Sequence, residues 1–175
     1  MRLTLIMLML LGFCGAAPAE QTCNTSEAPL SVPTERFQLN GDGTVTDTVS
    51  GLMWMRCAVG QTWREGRCDG DPRPLDWSAA SAAAEAVNGE GEWFFNDWRV
   101  PGLRDLALII ERQCVDPRTN LTVFPDTPAA FFWTSTLRPG EESGDAAYAL
   151  SFGPEGVEQR SKAEPHYLRL VRTAQ

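Results

Sequence analysis

Lysine and histidine are scarce in this chain of 175 residues: Lys162 is its only lysine, His166 its only histidine, and the formal net charge is −8. Phosphate recognition depends on clustered Lys and Arg, so nucleic acid and anionic membrane surfaces are poor partners for it. With one histidine, a serine or cysteine nucleophile has a single candidate base. His166 lies between Pro165 and Tyr167 at the mouth of the last predicted strand, where a surface or capping role suits it. Ser135 has no glycine-flanked elbow around it. No C-x-x-C pair is present, which sets zinc aside. After the first residues no apolar run reaches the ~20 needed to cross a bilayer. Internal repeats, heptads and collagen triplets are missing too.

The opening residues read as an export signal. Arg2 supplies a positive start, Leu3 to Phe13 is an apolar run, and Ala17-Pro18-Ala19 offers small residues for cleavage after Ala19. Phe13 before Cys14 does not suit lipid attachment. The expected mature chain, residues 20–175, is therefore periplasmic or secreted and of single-domain length. It keeps Cys23, Cys57, Cys68 and Cys114. An even set in an exported chain points to disulfides, with three possible connectivities. Cys57 and Cys68 enclose a short Gly-, Arg- and Asp-rich loop with little else to hold it, so they are paired, leaving Cys23 with Cys114.

Residues 20–35 form an extended lead-in, since Pro29 and Pro33 rule out regular helix. Phe37-Gln38-Leu39, the turn Asn40-Gly41-Asp42-Gly43, the alternating Thr44 to Asp47 and the apolar Leu52 to Arg56 make an antiparallel meander. Residues 58–75 form an irregular, disulfide-closed loop. A helix follows over the alanine-rich stretch to Val87, capped by Asp76 or Ser78 and stopped by Asn88-Gly89. An aromatic strand at Trp93 to Phe95 leads through Trp98-Arg99-Val100-Pro101 to a second helix from Leu103 to about Arg112, with Leu103, Leu106, Ala107 and Ile110 on its buried face. Trp98 and Val100 point into a core, and Pro101 breaks the strand from the helix. Arg99 either faces solvent or holds a carboxylate or carbonyl, as a structural bridge. A long loop, Val115 to Pro128, is pinned by Phe124. Strands at Phe131 to Thr136, Ala146 to Phe152 and Tyr167 to Arg172 complete the chain. Two helices and about seven short strands define an α+β fold, the helices packed on short antiparallel strands and stapled by disulfides.

Two groups of side chains are candidate sites. Asn40, Asp42 and Asp47 present oxygens around glycine, as the start of a calcium loop does, although Asn-Gly-Asp-Gly is also what a tight turn wants. Glu141, Glu142 and Asp145 read as a solvated turn. Trp63, within the Cys57 to Cys68 loop, and Trp77, at a helix start, are the tryptophans placed nearest solvent, where an indole stacks on a sugar or a protein. The opposing reading is that Trp63 packs its own loop down. Trp54, Trp98 and Trp133 belong to the core. Asn24-Thr25-Ser26 and Asn120-Leu121-Thr122 match the glycosylation acceptor pattern and are given no further meaning.

The blocks Asn40-Gly41-Asp42-Gly43-Thr44-Val45-Thr46-Asp47, Gly51-Leu52-Met53-Trp54-Met55-Arg56-Cys57, Trp98-Arg99-Val100-Pro101, Phe132-Trp133-Thr134-Ser135-Thr136 and Leu168-Arg169-Leu170-Val171-Arg172, in that order, resemble the Lcl C-terminal domain family. The resemblance covers residues 36–172 and implies a C-type-lectin-like fold and extracellular binding, in the adhesin that names the family to sulfated glycosaminoglycans and cell surfaces. This chain departs in lacking a collagen-like stalk and in being acidic. The Trp-Arg block also resembles formylglycine-generating enzymes, whose later cysteines have no counterpart after Cys114. The resulting expectation is a domain over 36–175 that is not an enzyme, needs no cofactor and binds a carbohydrate or protein at the cell surface through residues 58–75 and 115–130. An accessory protein-binding subunit of an envelope assembly is the alternative. A divergent enzyme of the formylglycine-generating type ranks third.

Overall fold

In the computed structural model, residues 21–89, 95–140 and 144–174 are described. The expected export signal, residues Trp93 and Phe94 of the expected aromatic strand, and Glu141 and Glu142 of the acidic turn lie outside them. Phe95, which is described, is not in a strand.

Chain entry is tied down at once. β1 (Thr22–Cys23) pairs antiparallel with β7 (Cys114–Val115), and the Cys23–Cys114 disulfide joins the two directly opposed residues. The lead-in then runs over Glu111, a fully buried carboxylate that accepts hydrogen bonds from Ser31 N, Val32 N and Gln113 N at 3.0, 2.7 and 2.8 Å. Burial alone would raise its pKa, but these donors outweigh it and hold the carboxyl below its ordinary value.

The expected meander forms as β2 (Phe37–Leu39), β3 (Thr44–Asp47) and β4 (Leu52–Met55), and β11 (Val171–Thr173) joins it in the order β11-β4-β3-β2. Gly43 turns the chain between β2 and β3 at φ +91°, a conformation that disfavours any side chain. Residues 58–75, read as irregular from sequence, instead contain a hairpin of β5 (Thr62–Arg64) and β6 (Arg67–Asp69), and the Cys57–Cys68 disulfide closes it. Its strands are three residues long, too short to leave a periodic signal.

Helix α1 (Trp77–Gly89) starts where Asp76 Oδ1 accepts the Ala79 amide at 2.7 Å, which settles the cap in favour of Asp76. Ala80 and Ala84, one turn apart, are its buried contacts. The second helix is shorter than its sequence pattern. α2 covers Leu103–Ala107 only, and the chain then turns so that Ile109, rather than Ala107 or Ile110, is fully buried. Tertiary hydrogen bonds end it: Thr119 Oγ1 donates to Ile109 O and Glu111 N donates to Arg118 O, both at 3.0 Å. Its N-terminus is held by Asp105, whose carboxylate accepts from Gly102 N at 2.9 Å and from Arg99 at 2.7 Å. Arg99 thus both faces solvent and bridges two segments, while Trp98 and Pro101 beside it are buried.

The second sheet is β8 (Phe131–Trp133), β9 (Ala146–Ser151) and β10 (Val157–Ser161), in the order β10-β9-β8. Sequence missed β10 because an edge strand of Val-Glu-Gln-Arg-Ser buries little and is held by its backbone ladder. The described residues hold eleven short strands, two α-helices and one 3-10 turn at Thr34–Arg36, an α+β disulfide-stabilised fold. Residues 166–173 join the two sheets. Trp133 N donates to Tyr167 O at 2.8 Å on one side, and Val171 pairs with Trp54 on the other. Flanked on both sides, residues 168–172 of this segment are buried on both faces, including Arg169 and Arg172. Trp54 and Trp133 are fully buried and Trp98 nearly so. Each removes on the order of 200 Å² from water, ~5 kcal/mol of transfer free energy before entropy is counted.

Candidate functional site: a groove between two loop segments

The two loop segments expected to carry binding face each other. Gln61, Cys68, Gly70, Asp71 and Pro72 form one wall of a surface groove of about 970 Å³, and residues 116–117, 121 and 126–129 form the other. Tyr167, from the segment that joins the sheets, also lines it. The Cys57–Cys68 disulfide braces the first wall. For the second wall, which is irregular, arginines take the place of a sheet.

Arg56, just after β4, donates from Nε to Val123 O at 2.8 Å and from Nη2 to Thr122 O at 2.7 Å. Arg169, fully buried, donates to Met55 O and Arg56 O and, at 2.7 Å, to Thr127 Oγ1. Its guanidinium also lies 4.9 Å from the Phe124 ring centre. Neither arginine meets a carboxylate among the described residues; carbonyls, a hydroxyl and aromatic faces surround them, and Arg169 Nε is left without a hydrogen-bond partner. Burial, and then the neighbouring Arg56 charge, bring the Arg169 pKa down to about 9. That leaves the group protonated and donating at neutral pH. For Arg56 the signal was present in sequence, since it ends the apolar run Leu-Met-Trp-Met, whereas Leu168-Arg169-Leu170 reads as ordinary alternation and gives none.

Asn120 completes the support. Its amide nitrogen donates to Val32 O at 2.9 Å and Thr34 Oγ1 at 3.0 Å, and its Oδ1 accepts from Thr122 N. Being buried, it is a structural side chain here.

The two candidate tryptophans sit apart from this groove and from each other. Trp63 is half-buried beneath the Arg56 guanidinium, 4.0 Å from ring to Cζ, and wedged against Gly43. A Cβ placed on Gly43 would lie 2.7 Å from Cβ and Cγ of Trp63. Trp63 therefore anchors its own hairpin to the β2–β3 turn, and only its remaining edge lines a smaller pocket of about 260 Å³. Trp77 donates from its indole to Thr134 O at 3.0 Å and carries Lys162 Nζ 4.7 Å from its ring, beside an open depression of about 470 Å³.

Asn40, Asp42 and Asp47 do not converge as calcium ligands. Asn40 points its amide nitrogen at Thr44 and Thr46. Asp42 Oδ1 accepts from Thr44 N at 2.9 Å and Thr44 Oγ1 at 2.6 Å, the signature of a side-chain-stabilised turn. Asp47 sits at the far end of β3, fully buried, its carboxylate forked against Arg36 and accepting from Ser50 and Val49. Burial would raise its pKa, and the Arg36, Ser50 and Val49 donors lower it below the ordinary value. Among the described residues no three His, Cys, Asp or Glu side chains are grouped to hold a metal.

His166 is buried between Phe131 and Trp133, with ring centres 5.5 and 4.7 Å away. Burial, reinforced by Arg160, lowers its pKa, and Glu164 at 3.4 Å opposes the shift. Among the described residues no helix is long and apolar enough to cross a membrane.

A family model described as the Lcl C-terminal domain matches residues 43–172 of this chain. No curated protein matches it. The matched span contains both walls of the groove and both arginines that support it.

Proposed function

Because this chain belongs to the Lcl C-terminal domain family, we propose that it is an exported, adhesin-like binding domain that carries out no catalysis and recognises a carbohydrate or a protein at the cell surface. The observation that carries the reading is the groove itself. Residues 58–75, which carry the β5–β6 hairpin, and the largely irregular residues 115–130 are held face to face by a disulfide and two buried arginines. Such a surface is preformed, so binding does not have to order its loops. In this reading residues 1–19 are the export signal, 20–35 the lead-in and 36–175 the domain. The two disulfides support an oxidising compartment, periplasmic or extracellular. A C-type-lectin-like fold belongs to the same proposal. Its support is an α+β body whose early strands β2 and β3 share a sheet with the last strand, β11, leaving long loops at the surface. No cofactor is called on.

The test uses oxidised residues 20–175, a glycan array and retention on intact cells. Parent protein is expected to be retained on cells, and Ala129→Trp, which fills the groove from an exposed position, is expected to abolish retention without lowering Tm. Unchanged retention of the filled variant overturns the groove as the binding surface.

A further inference from the structure

The polar groups of this groove are unequal in what remains available. Gln21 donates from its amide nitrogen to Pro117 O at 2.6 Å and to Thr119 O at 2.7 Å. Gln61 donates to Gly70 O, and Thr127 Oγ1 donates to Phe124 O at 2.7 Å. These donors are engaged by the protein's own carbonyls. What is left is a set of acceptors. Asp71, Asp116 and Asp126 are exposed on both walls and form no ion pair among the described residues. Asp126 accepts only a long contact, 3.4 Å, from Cys68 N. No Lys, Arg or His is among the described residues lining the groove. Between the carboxylates the surface is apolar, with Pro72, Pro117, Pro128, Leu121 and the Tyr167 ring.

A neutral glycan presents hydroxyls that both donate and accept, and it favours an exposed indole to stack on. This groove has no tryptophan, its acceptors are charged, and the net charge of the chain, −8, repels polyanions. Ammonium and guanidinium groups are pure donors and match it. Resting on the reading of the groove as the binding surface, we infer that its ligand is a basic polypeptide segment, whose Lys or Arg side chains meet Asp71, Asp116 and Asp126 while its apolar parts lie on the proline-lined floor. Two walls bearing carboxylates suit an extended chain with cations on alternating sides.

The test is fluorescence anisotropy with oxidised residues 20–175 and three labelled probes: an alternating Lys-Ala octapeptide, the matching Glu-Ala octapeptide, and a chitosan oligosaccharide. Two charge-matched triple variants are compared with the parent. One is Asp71→Asn/Asp116→Asn/Asp126→Asn. The other, Glu27→Gln/Glu35→Gln/Glu85→Gln, neutralises three exposed carboxylates elsewhere. Asn suits the groove because Asp116 and Asp126 have φ of +54° and +53°, a region asparagine tolerates. The Lys-Ala peptide is expected to bind, the Glu-Ala peptide not to, and the groove variant to lose affinity by about tenfold or more. The distant variant should stay within about twofold of the parent. Equal loss in both variants would reduce the effect to net charge and overturn the inference. So would absence of Lys-Ala binding, or binding of chitosan in its place. If Ala129→Trp still abolishes cell retention while the Lys-Ala peptide fails to bind, the groove reading stands and the basic-ligand inference falls. If Ala129→Trp leaves retention unchanged, the groove reading itself has failed.

Discussion

The buried guanidinium of Arg169 donates to Thr127 Oγ1 at 2.7 Å while also holding the carbonyls of Met55 and Arg56. One side chain thereby joins the end of β4, the segment between the sheets and the second wall of the groove. Charged hydrogen bonds to neutral acceptors contribute ~1.5–3 kcal/mol each, and orphaning the buried acceptors adds to the loss.

Arg169→Ala should therefore lower unfolding stability by about 3 kcal/mol or more, through the cavity and the orphaned acceptors together. Thr127→Val should cost about 1–3 kcal/mol, because it strands the Arg169 donor and the Phe124 carbonyl. Urea denaturation of both variants measures this. A loss under about 0.5 kcal/mol in Arg169→Ala would show that the arginine is not a structural tie.

The two disulfides should separate stability from binding. Cys23–Cys114 closes a loop of separation 91 and Cys57–Cys68 one of 11. Chain-entropy reasoning gives ~4–5 kcal/mol for the first and ~3 kcal/mol for the second. Serine pairs at the two positions should follow that order in denaturation midpoint, while only the 57/68 pair should weaken ligand retention. Retention lost equally in both would mean that the hairpin wall has no special part in the groove.

Gly43→Ala should destabilise by about 1–3 kcal/mol, since the new methyl meets Trp63 and the backbone sits at positive φ. A shift in tryptophan fluorescence should accompany it as Trp63 is displaced. Wild-type stability in this variant would remove the claim that Trp63 is wedged on the turn.

Acid should unfold the protein through Asp47 and Glu111. Both carboxyls have pKa values below their ordinary ones in the folded chain. The folded state therefore binds protons less readily, so their stabilisation is complete above about pH 5 and is lost as pH falls through the ordinary values, about 4, to the depressed ones. Asp47→Asn should lower Tm at pH 7 by more than at pH 3, and Glu111→Gln should flatten the acid limb of the Tm–pH curve. An unchanged acid limb in both variants would assign acid sensitivity to other groups.

Much of this architecture was legible in the residues. Asn40 to Gly43 dictates its turn because glycine at positive φ leaves few alternatives, and β3 and β4 follow from alternation and apolar run. Cys57–Cys68 follows from proximity along the chain, and Cys23–Cys114 from what remains. Helix α1 was readable from Asp76 and the alanines. The second helix was over-read. Its apolar spacing continues to Ile110, yet hydrogen bonds to Arg118 and Thr119 from across the turn end it after Ala107. The two segments expected to carry binding come together in one groove, and Trp63 and Trp77 lie outside it, each half-buried. Trp63 and Trp77 were singled out for exposure, and both are anchored by partners distant in sequence.

Composition and order of blocks thus determined on their own the meander, the disulfide pairs, the family and the acidic character of the surface, because each rests on local geometry or on a count. Only the tertiary structure decided that Asp47 pairs with Arg36, and that residues 61–72 and 116–129 share one groove. It also decided that Arg56 and Arg169 support that groove from beneath. These are contacts of side chains with groups that the chain brings to them across 11, 42 or 66 positions, and separation of that kind leaves no periodicity to read.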